Sequence, residues 1–173
     1  MSEPFAVILD EAAVAARVDA LANDLAQTVD GDWTLIALLQ GAMPFAVDLM
    51  RALARRGIHP ALDCLWLESY RDARESSGRV VVRADISRSV EGKRVLILDD
   101  VFDSGRTIAF ARAHLAAKGA VETRACAFVR KPSAKGEPIE HIGFDAGDDF
   151  LVGYGMDDAG RYRGLPWIAA LKG

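Results

Sequence analysis

Nine residues, Asp99-Asp-Val-Phe-Asp-Ser-Gly-Arg-Thr107, place three carboxylates, two hydroxyls and a glycine directly after the apolar run Arg94–Leu98. In the turn Ser104-Gly105-Arg106-Thr107 backbone N–H groups can converge on an anion. Gly105 tolerates tight or positive-φ geometry there, and Ser104 and Thr107 add hydroxyl donors. A helix starting at this turn aims the positive end of its dipole at the same spot. That is the makeup of a phosphate cradle. Carboxylates alone would repel a phosphate, so the ligand must also offer hydroxyls, a metal ion or a removable proton. Asp99 and Asp100 can accept from vicinal sugar hydroxyls, and Asp103 can serve as a base. Any one of these aspartates could equally be a helix cap; the string taken together fits the ligand reading better.

The rest of the chain sets the terms for that site. Its 173 residues suit one domain, and 51% hydrophobic against 27% charged residues exclude disordered and low-complexity classes. With 21 Lys+Arg against 25 Asp+Glu the net charge is -4, which gives no global attraction to nucleic acid or an anionic membrane. A phosphate-bearing ligand must therefore be held by local geometry or by a metal ion. Met1-Ser2-Glu3-Pro4 has no basic stretch leading into an apolar one, so no secretory signal is expected. The longest greasy stretch, Leu35–Val47, is interrupted by Gln40, Gly41 and Pro44 and is too short to span a bilayer. Cys64 and Cys126 stand singly in apolar runs, and His59, His114 and His141 do not cluster with them. Two buried reduced thiols and a cytoplasmic location are the expectation.

The elements that must position the site alternate along the chain. Asp10 reads as the cap of a helix bearing Val14, Val18, Leu21 and Leu25 on one stripe. Trp33–Leu39 reads as a buried strand. A helix follows from about Pro44 to Gly57, with Arg51, Arg55 and Arg56 complementing the negative end of its dipole. Ala61–Glu68 and Val80–Val82 read as antiparallel strands joined by a polar mobile loop, Arg71–Gly78. Arg94–Leu98 has the continuous apolar character of a central parallel strand. Next come a helix with Ile108, Ala111 and Leu115 on one face, a stop at Gly119, a strand at Glu122–Val129, and short strands at Ile139–Phe144 and Leu151–Tyr154. With no repeat or linker, this is one α/β domain around a mostly parallel sheet.

Val95-Leu-Ile-Leu-Asp-Asp-Val-Phe-Asp-Ser-Gly-Arg-Thr107 resembles the phosphoribosyl-diphosphate (PRPP) motif of type I phosphoribosyltransferases. Four further landmarks narrow the resemblance to the hypoxanthine(-guanine) branch. Leu39-Gln40-Gly41 is similar to the pyrophosphate loop, and Ser69-Tyr70 to the dipeptide at the base of the mobile catalytic loop. Lys131-Pro132 resembles the purine-reading lysine. Asp149-Phe-Leu-Val-Gly-Tyr-Gly-Met-Asp157 with Arg161-Tyr-Arg163 resembles the C-terminal hood. The likeness covers roughly residues 5 to 170.

The resemblance implies a type I phosphoribosyltransferase fold in a single domain, 1–173, with a core of about 5–135 and a hood of about 136–173 plus the N-terminal segment. It implies transfer of the 5-phosphoribosyl group of PRPP to N9 of hypoxanthine or guanine, yielding IMP or GMP and pyrophosphate, with Mg²⁺ as cofactor. Backbone groups of residues 103–107, Gly105 and Arg106 among them, with the Ser104 and Thr107 hydroxyls, would hold the 5-phosphate. Asp99 and Asp100 would position the ribose hydroxyls, Asp103 would be the acid/base at purine N7, and Gln40, Gly41 and Arg163 would meet pyrophosphate. Lys131 would donate to O6, Phe150 would stack on the base and the Leu151 backbone would meet its edge. Asp157 would help hold Mg²⁺, with Asp99 and Asp100 acting on metal through ribose hydroxyls or water. A homodimer or homotetramer is implied, with neither nucleic acid nor membrane as partner.

Three positions depart from the branch pattern: Asp99 where Glu is usual, Gln40 where a cation is usual, and Arg106 where Lys is frequent. The string Gly153-Tyr-Gly155 is no dinucleotide fingerprint, since the third glycine and the following helix are missing. Two rival functions are a xanthine-preferring relative and a nucleotide-sensing regulator. The regulator would want a basic face, and Arg71–Arg94 offers only seven basic residues against four acidic ones.

Overall fold

Asp10 caps the first helix as expected: its Oδ1 accepts from the Ala13 amide at 2.8 Å, satisfying one of the free donors of the first turn. The computed structural model describes residues 5–70 and 79–171, so the expected mobile loop Arg71–Gly78 lies outside the described residues. In chain order the elements are β1 (Phe5–Leu9), α1 (Glu11–Leu25), β2 (Trp33–Leu39), α2 (Met43–Ala54), β3 (Ala61–Tyr70) and β4 (Arg79–Ala84). They continue with β5 (Arg94–Phe102), α3 (Arg106–Ala117), β6 (Glu122–Arg130), β7 (His141–Asp145), β8 (Leu151–Val152) and β9 (Ile168–Leu171).

Six strands form one sheet in the order β4-β3-β2-β5-β6-β7, parallel except for β4 at one edge. β5 lies at its centre because it is apolar on both faces. Leu96 and Leu98 face the layer of α1 and α2, where Leu35, Phe45, Leu49 and Phe128 are buried with them. Val95 and Ile97 point the other way, toward Ile108, Ala111 and Leu115 of α3. A second sheet, β1-β9-β8, is antiparallel and pairs residues 5–9 with residues 168–171 in the hood.

Several expectations need correcting. β5 continues through Asp99 and Asp100 to Phe102, so the acidic pair sits in the strand and pairs along β6. The short strand expected at Ile139–Phe144 runs instead from His141 to Asp145 as β7 and joins the large sheet beside β6. The second helix stops at Ala54, and Gly57, at φ +74°, follows its last turn. Arg51 alone of the three arginines lies in that turn, while Arg56 ties α2 to α1 through Asn23 at 2.8 Å and Asp19 at 2.9 Å. β8 ends at Val152 because Gly153 (φ +93°) and Tyr154 (φ +49°) turn the chain. β1 and β9 are strands beyond those the sequence pattern predicts. Cys126 is buried, but Cys64 is only half-buried. Among the described residues no helix is long and apolar enough to cross a membrane.

Candidate active site

The site forms where β2, β5 and β6 end and the hood folds over them. β5 carries Asp99 into the core: its carboxyl is buried, and burial together with the neighbouring Asp100 charge pushes its pKa well above the usual carboxylate range. Asp99 Oδ1 accepts from the Asp100 amide at 3.0 Å, and Asp100 Oδ1 from the Val101 amide at 2.9 Å. Gly41, after the cis Leu39–Gln40 bond, lies against the Asp100 carboxylate. Gly155 from the hood lies against the Gly41 carbonyl.

The chain turns from β5 into α3 at Gly105, which has φ +74° and is pressed against the Lys135 carbonyl, so only glycine fits. No side chain caps α3, and Ser104 Oγ accepts from the Arg106 amide at 3.4 Å. A hollow of about 80 Å³ opens here, lined by Asp99, Asp103, Ser104, Gly105 and Thr107 among others. Its helix N-terminus and hydroxyls suit a phosphate.

A larger cavity of about 340 Å³ adjoins it, and Asp103 and Val101 line both. Lys131, Phe150, Leu151, Met156 and Asp157 line the larger one, with Asp100, Asp148 and Asp149 adding carboxylates. Phe150 presents its ring with 57% exposure, as a stacking platform would. Lys131 Nζ donates to the Gly147 carbonyl at 2.9 Å and to the Asp149 carbonyl, so two of its three N–H bonds are used. Arg163 pairs with Asp157 at 2.7 Å and donates to the Gly155 carbonyl at 2.6 Å, while Asp157 Oδ2 accepts from the Gly160 amide at 2.6 Å.

A phosphoribosyl transferase domain model matches residues 6–158. The hypoxanthine-guanine phosphoribosyltransferase of Mycobacterium tuberculosis (strain H37Rv) is 36% identical over 93% of this chain and 81% of its own length. That of Bacillus subtilis is 33% identical over 96% of this chain and 92% of its own. The chain belongs to the hypoxanthine-guanine phosphoribosyltransferase family. The fold agrees: the crystal structure of a hypoxanthine phosphoribosyltransferase from Staphylococcus aureus superposes with a TM-score of 0.89, at 28% identity, covering 96% of this chain and 91% of that one.

The family member is an enzyme, a phosphoribosyltransferase, and its expected site residues are unevenly gathered. Asp99, Asp103, Ser104, Gly105 and Thr107 meet at the small hollow; Asp100, Asp103, Lys131, Phe150, Leu151 and Asp157 meet at the large one. Gly41 reaches the site through Asp100, and Arg163 through Asp157. Gln40 is exposed beside Gly41, and Arg106 begins α3. Ser69 is exposed at the end of β3, outside both hollows, and Tyr70 follows it as the last residue of that strand. Val101, Asp148 and Met156 also line the larger cavity, beyond the residues the sequence singles out. Met156 and Val101 lie inside the two motifs already quoted, so motif position was the available signal.

Proposed function

We propose that this phosphoribosyltransferase moves the 5-phosphoribosyl group of PRPP to N9 of hypoxanthine or guanine, giving IMP or GMP and pyrophosphate in purine salvage. One observation carries the reading: Asp103 stands between a phosphate-sized hollow at a helix N-terminus and a cavity holding Lys131 and Phe150. In that arrangement a base stacked on Phe150 and a phosphate at Ser104–Thr107 flank a carboxylate able to take the N7 proton.

The base preference follows from Lys131. Two of its ammonium hydrogens are committed to carbonyls, and the third remains for a ligand. It meets an acceptor in a 6-oxopurine but a second donor in adenine, and a desolvated donor left unpaired costs about 1–3 kcal/mol. Asp99 and Asp100 accept from the ribose hydroxyls, and Gly41 and Arg163 meet pyrophosphate.

The residues fit Mg²⁺ as cofactor. The donors are all carboxylate oxygens, the hard ligands this ion takes, and among the described residues no three His, Cys, Asp or Glu side chains converge to enclose a metal unaided. Substrate oxygens and water would be the ion's main ligands, Asp157 would help hold it, and Asp99 and Asp100 would act through ribose hydroxyls or water. When bound, the ion supplies positive charge to the departing pyrophosphate. Cytoplasmic location and assembly as a homodimer or homotetramer rest on the family likeness.

The deciding experiment is an assay with PRPP, Mg²⁺ and hypoxanthine, guanine, xanthine and adenine in turn. Turnover of hypoxanthine and guanine with little of adenine is expected. No turnover of any 6-oxopurine would refute the reading, and turnover confined to xanthine would make the protein the xanthine-preferring relative.

A further inference from the structure

Ser133 lies outside every motif considered so far, on the loop after β6. Its Oγ donates to Asp103 Oδ1 at 2.8 Å. Both side chains are exposed, so the bond means little unless the backbone holds the two groups together. It does. The Lys131 amide donates to the Phe102 carbonyl at 3.0 Å, and the Lys135 amide to the Asp103 carbonyl at 2.9 Å. The Ala134 amide closes the loop on the Lys131 carbonyl at 3.0 Å. On the far side of Ser133, Lys135 and Gly136 pack against Gly105 so tightly that a Cβ there would stand 2.2 Å from the Lys135 carbonyl oxygen. Main-chain contacts on both sides thus carry the serine to the aspartate.

A proton acceptor works only when one carboxylate oxygen meets the donor at hydrogen-bond distance and angle. The Asp103 side chain has two rotatable bonds and lines two hollows, so nothing in its own torsions selects that orientation. A hydroxyl fixed on Oδ1 does select one.

We infer that Ser133 is a positioning residue for Asp103, holding Oδ1 so that Oδ2 takes the purine proton. The inference rests on the acid/base role proposed for Asp103. As N9 bonds to the anomeric carbon and the bond from that carbon to pyrophosphate breaks, the N7 proton passes to Oδ2, while Ser133 keeps its own proton. The serine touches neither substrate. It shares its loop with Lys131, so the group that reads the base and the group that orients the acceptor are set by one short segment.

The test is the single-turnover rate with hypoxanthine and saturating Mg²⁺ and PRPP, for Ser133→Ala and Ser133→Thr, each in the natural chain and in Asp103→Ala. Ser133→Ala is expected to slow the step about 2- to 10-fold, the worth of one hydrogen bond, with KM for PRPP within about twofold of normal. Ser133→Thr, which keeps the hydroxyl, restores the rate, and in the Asp103→Ala background Ser133→Ala has no further effect. A normal rate in Ser133→Ala, a threonine variant as slow as alanine, or further slowing without Asp103 would overturn the inference. A normal rate in Asp103→Ala alone would instead remove the acid/base role of Asp103, and the inference with it.

Discussion

Gly41 lies so close to Asp100 that a Cβ at this position would stand 1.9 Å from the carboxylate oxygen Oδ2. Gly155 crowds the same loop: its own Cβ would come within 1.8 Å of the Gly41 carbonyl oxygen. One point of contact therefore joins the loop after β2, the acidic end of β5 and the hood. Gly41→Ala must displace the Asp100 carboxylate or part these loops. Forcing a methyl group into such a space costs about 1–3 kcal/mol, and the cost falls on the groups proposed to meet the ribose and pyrophosphate. Calorimetric titration of Mg²⁺–PRPP should show Kd raised roughly tenfold to a hundredfold. An unaltered Kd would place Asp100 outside the ligand contacts.

Asp103→Asn keeps the shape of the side chain, and its amide oxygen can still accept from Ser133. What it loses is a group able to take a proton. The chemical step should slow by about 10²–10⁴-fold, the usual contribution of a positioned acid or base, while PRPP binding is largely kept. Rapid-quench kinetics paired with binding titration separates the two quantities.

Lys131→Ala removes the proposed O6 donor and also leaves the Gly147 and Asp149 carbonyls without their shared ammonium partner. Loss of rate for hypoxanthine is therefore expected to exceed loss for adenine. The ratio of kcat/KM values for the two bases should shrink by about tenfold or more, since one desolvated hydrogen bond to a charged donor is worth about 1.5–3 kcal/mol. Equal losses on both bases would limit Lys131 to holding the 147–149 loop.

The limits of legibility are physical. Apolar residues from Val95 to Leu98 announce a strand buried on both faces, since alternate side chains all need a partner layer. Asp99 and Asp100 extend that strand against their own propensity, because pairing with β6 decides their backbone and no local pattern encodes it. The hood strands are harder still: β1 has five residues, exposes Val7 and Ile8, and pairs with residues 168–171 at the opposite end of the chain. At the site, the motifs identify Lys131, Phe150, Leu151 and Asp157, and all four share a cavity. The Asp157–Arg163 pair and the Ser133–Asp103 bond escape such reading because turn geometry sets their distances.

Asp85 fastens the segment between β4 and β5 to the end of α3. It accepts from His114 Nε2 at 2.9 Å and from Lys118 Nζ at 2.7 Å. Partial burial works against its charge, but the Lys118 and His114 hydrogen bonds outweigh that and lower its pKa from 3.8 to about 2. A depressed carboxylate stabilises the fold above its unfolded pKa, and that contribution vanishes as pH falls through the folded value. The contribution of Asp85 is thus full at neutral pH, begins to decline near pH 4 and is gone below about 2. Asp85→Asn should lower the thermal midpoint at pH 7, with the gap from the natural chain closing as the pH is taken from 4 toward 2. A gap that stayed constant with pH would assign the effect to packing instead of charge.

Phe128 connects the core to the hood. Its ring is 1% exposed, with centroids 5.3 Å from Phe45 on α2 and 4.9 Å from Tyr154 in the turn after β8. Tyr154 in turn donates to Asp48 of α2 at 3.0 Å and leads directly into Gly155, Met156 and Asp157. Phe128→Ala should cost about 3–5 kcal/mol, because the rigid strands around it cannot close the space left behind. For a domain of this size each kcal/mol lowers Tm by about 2–4 °C, so a fall of roughly 6–20 °C is expected in calorimetry. The hood should feel it as well. With the Tyr154 ring no longer supported on one side, KM for hypoxanthine should rise in Phe128→Ala assayed below its Tm, and less in Phe128→Leu, which fills more of the space. A large drop in Tm with no change in KM would show that Phe128 stabilises the core without setting the position of the hood.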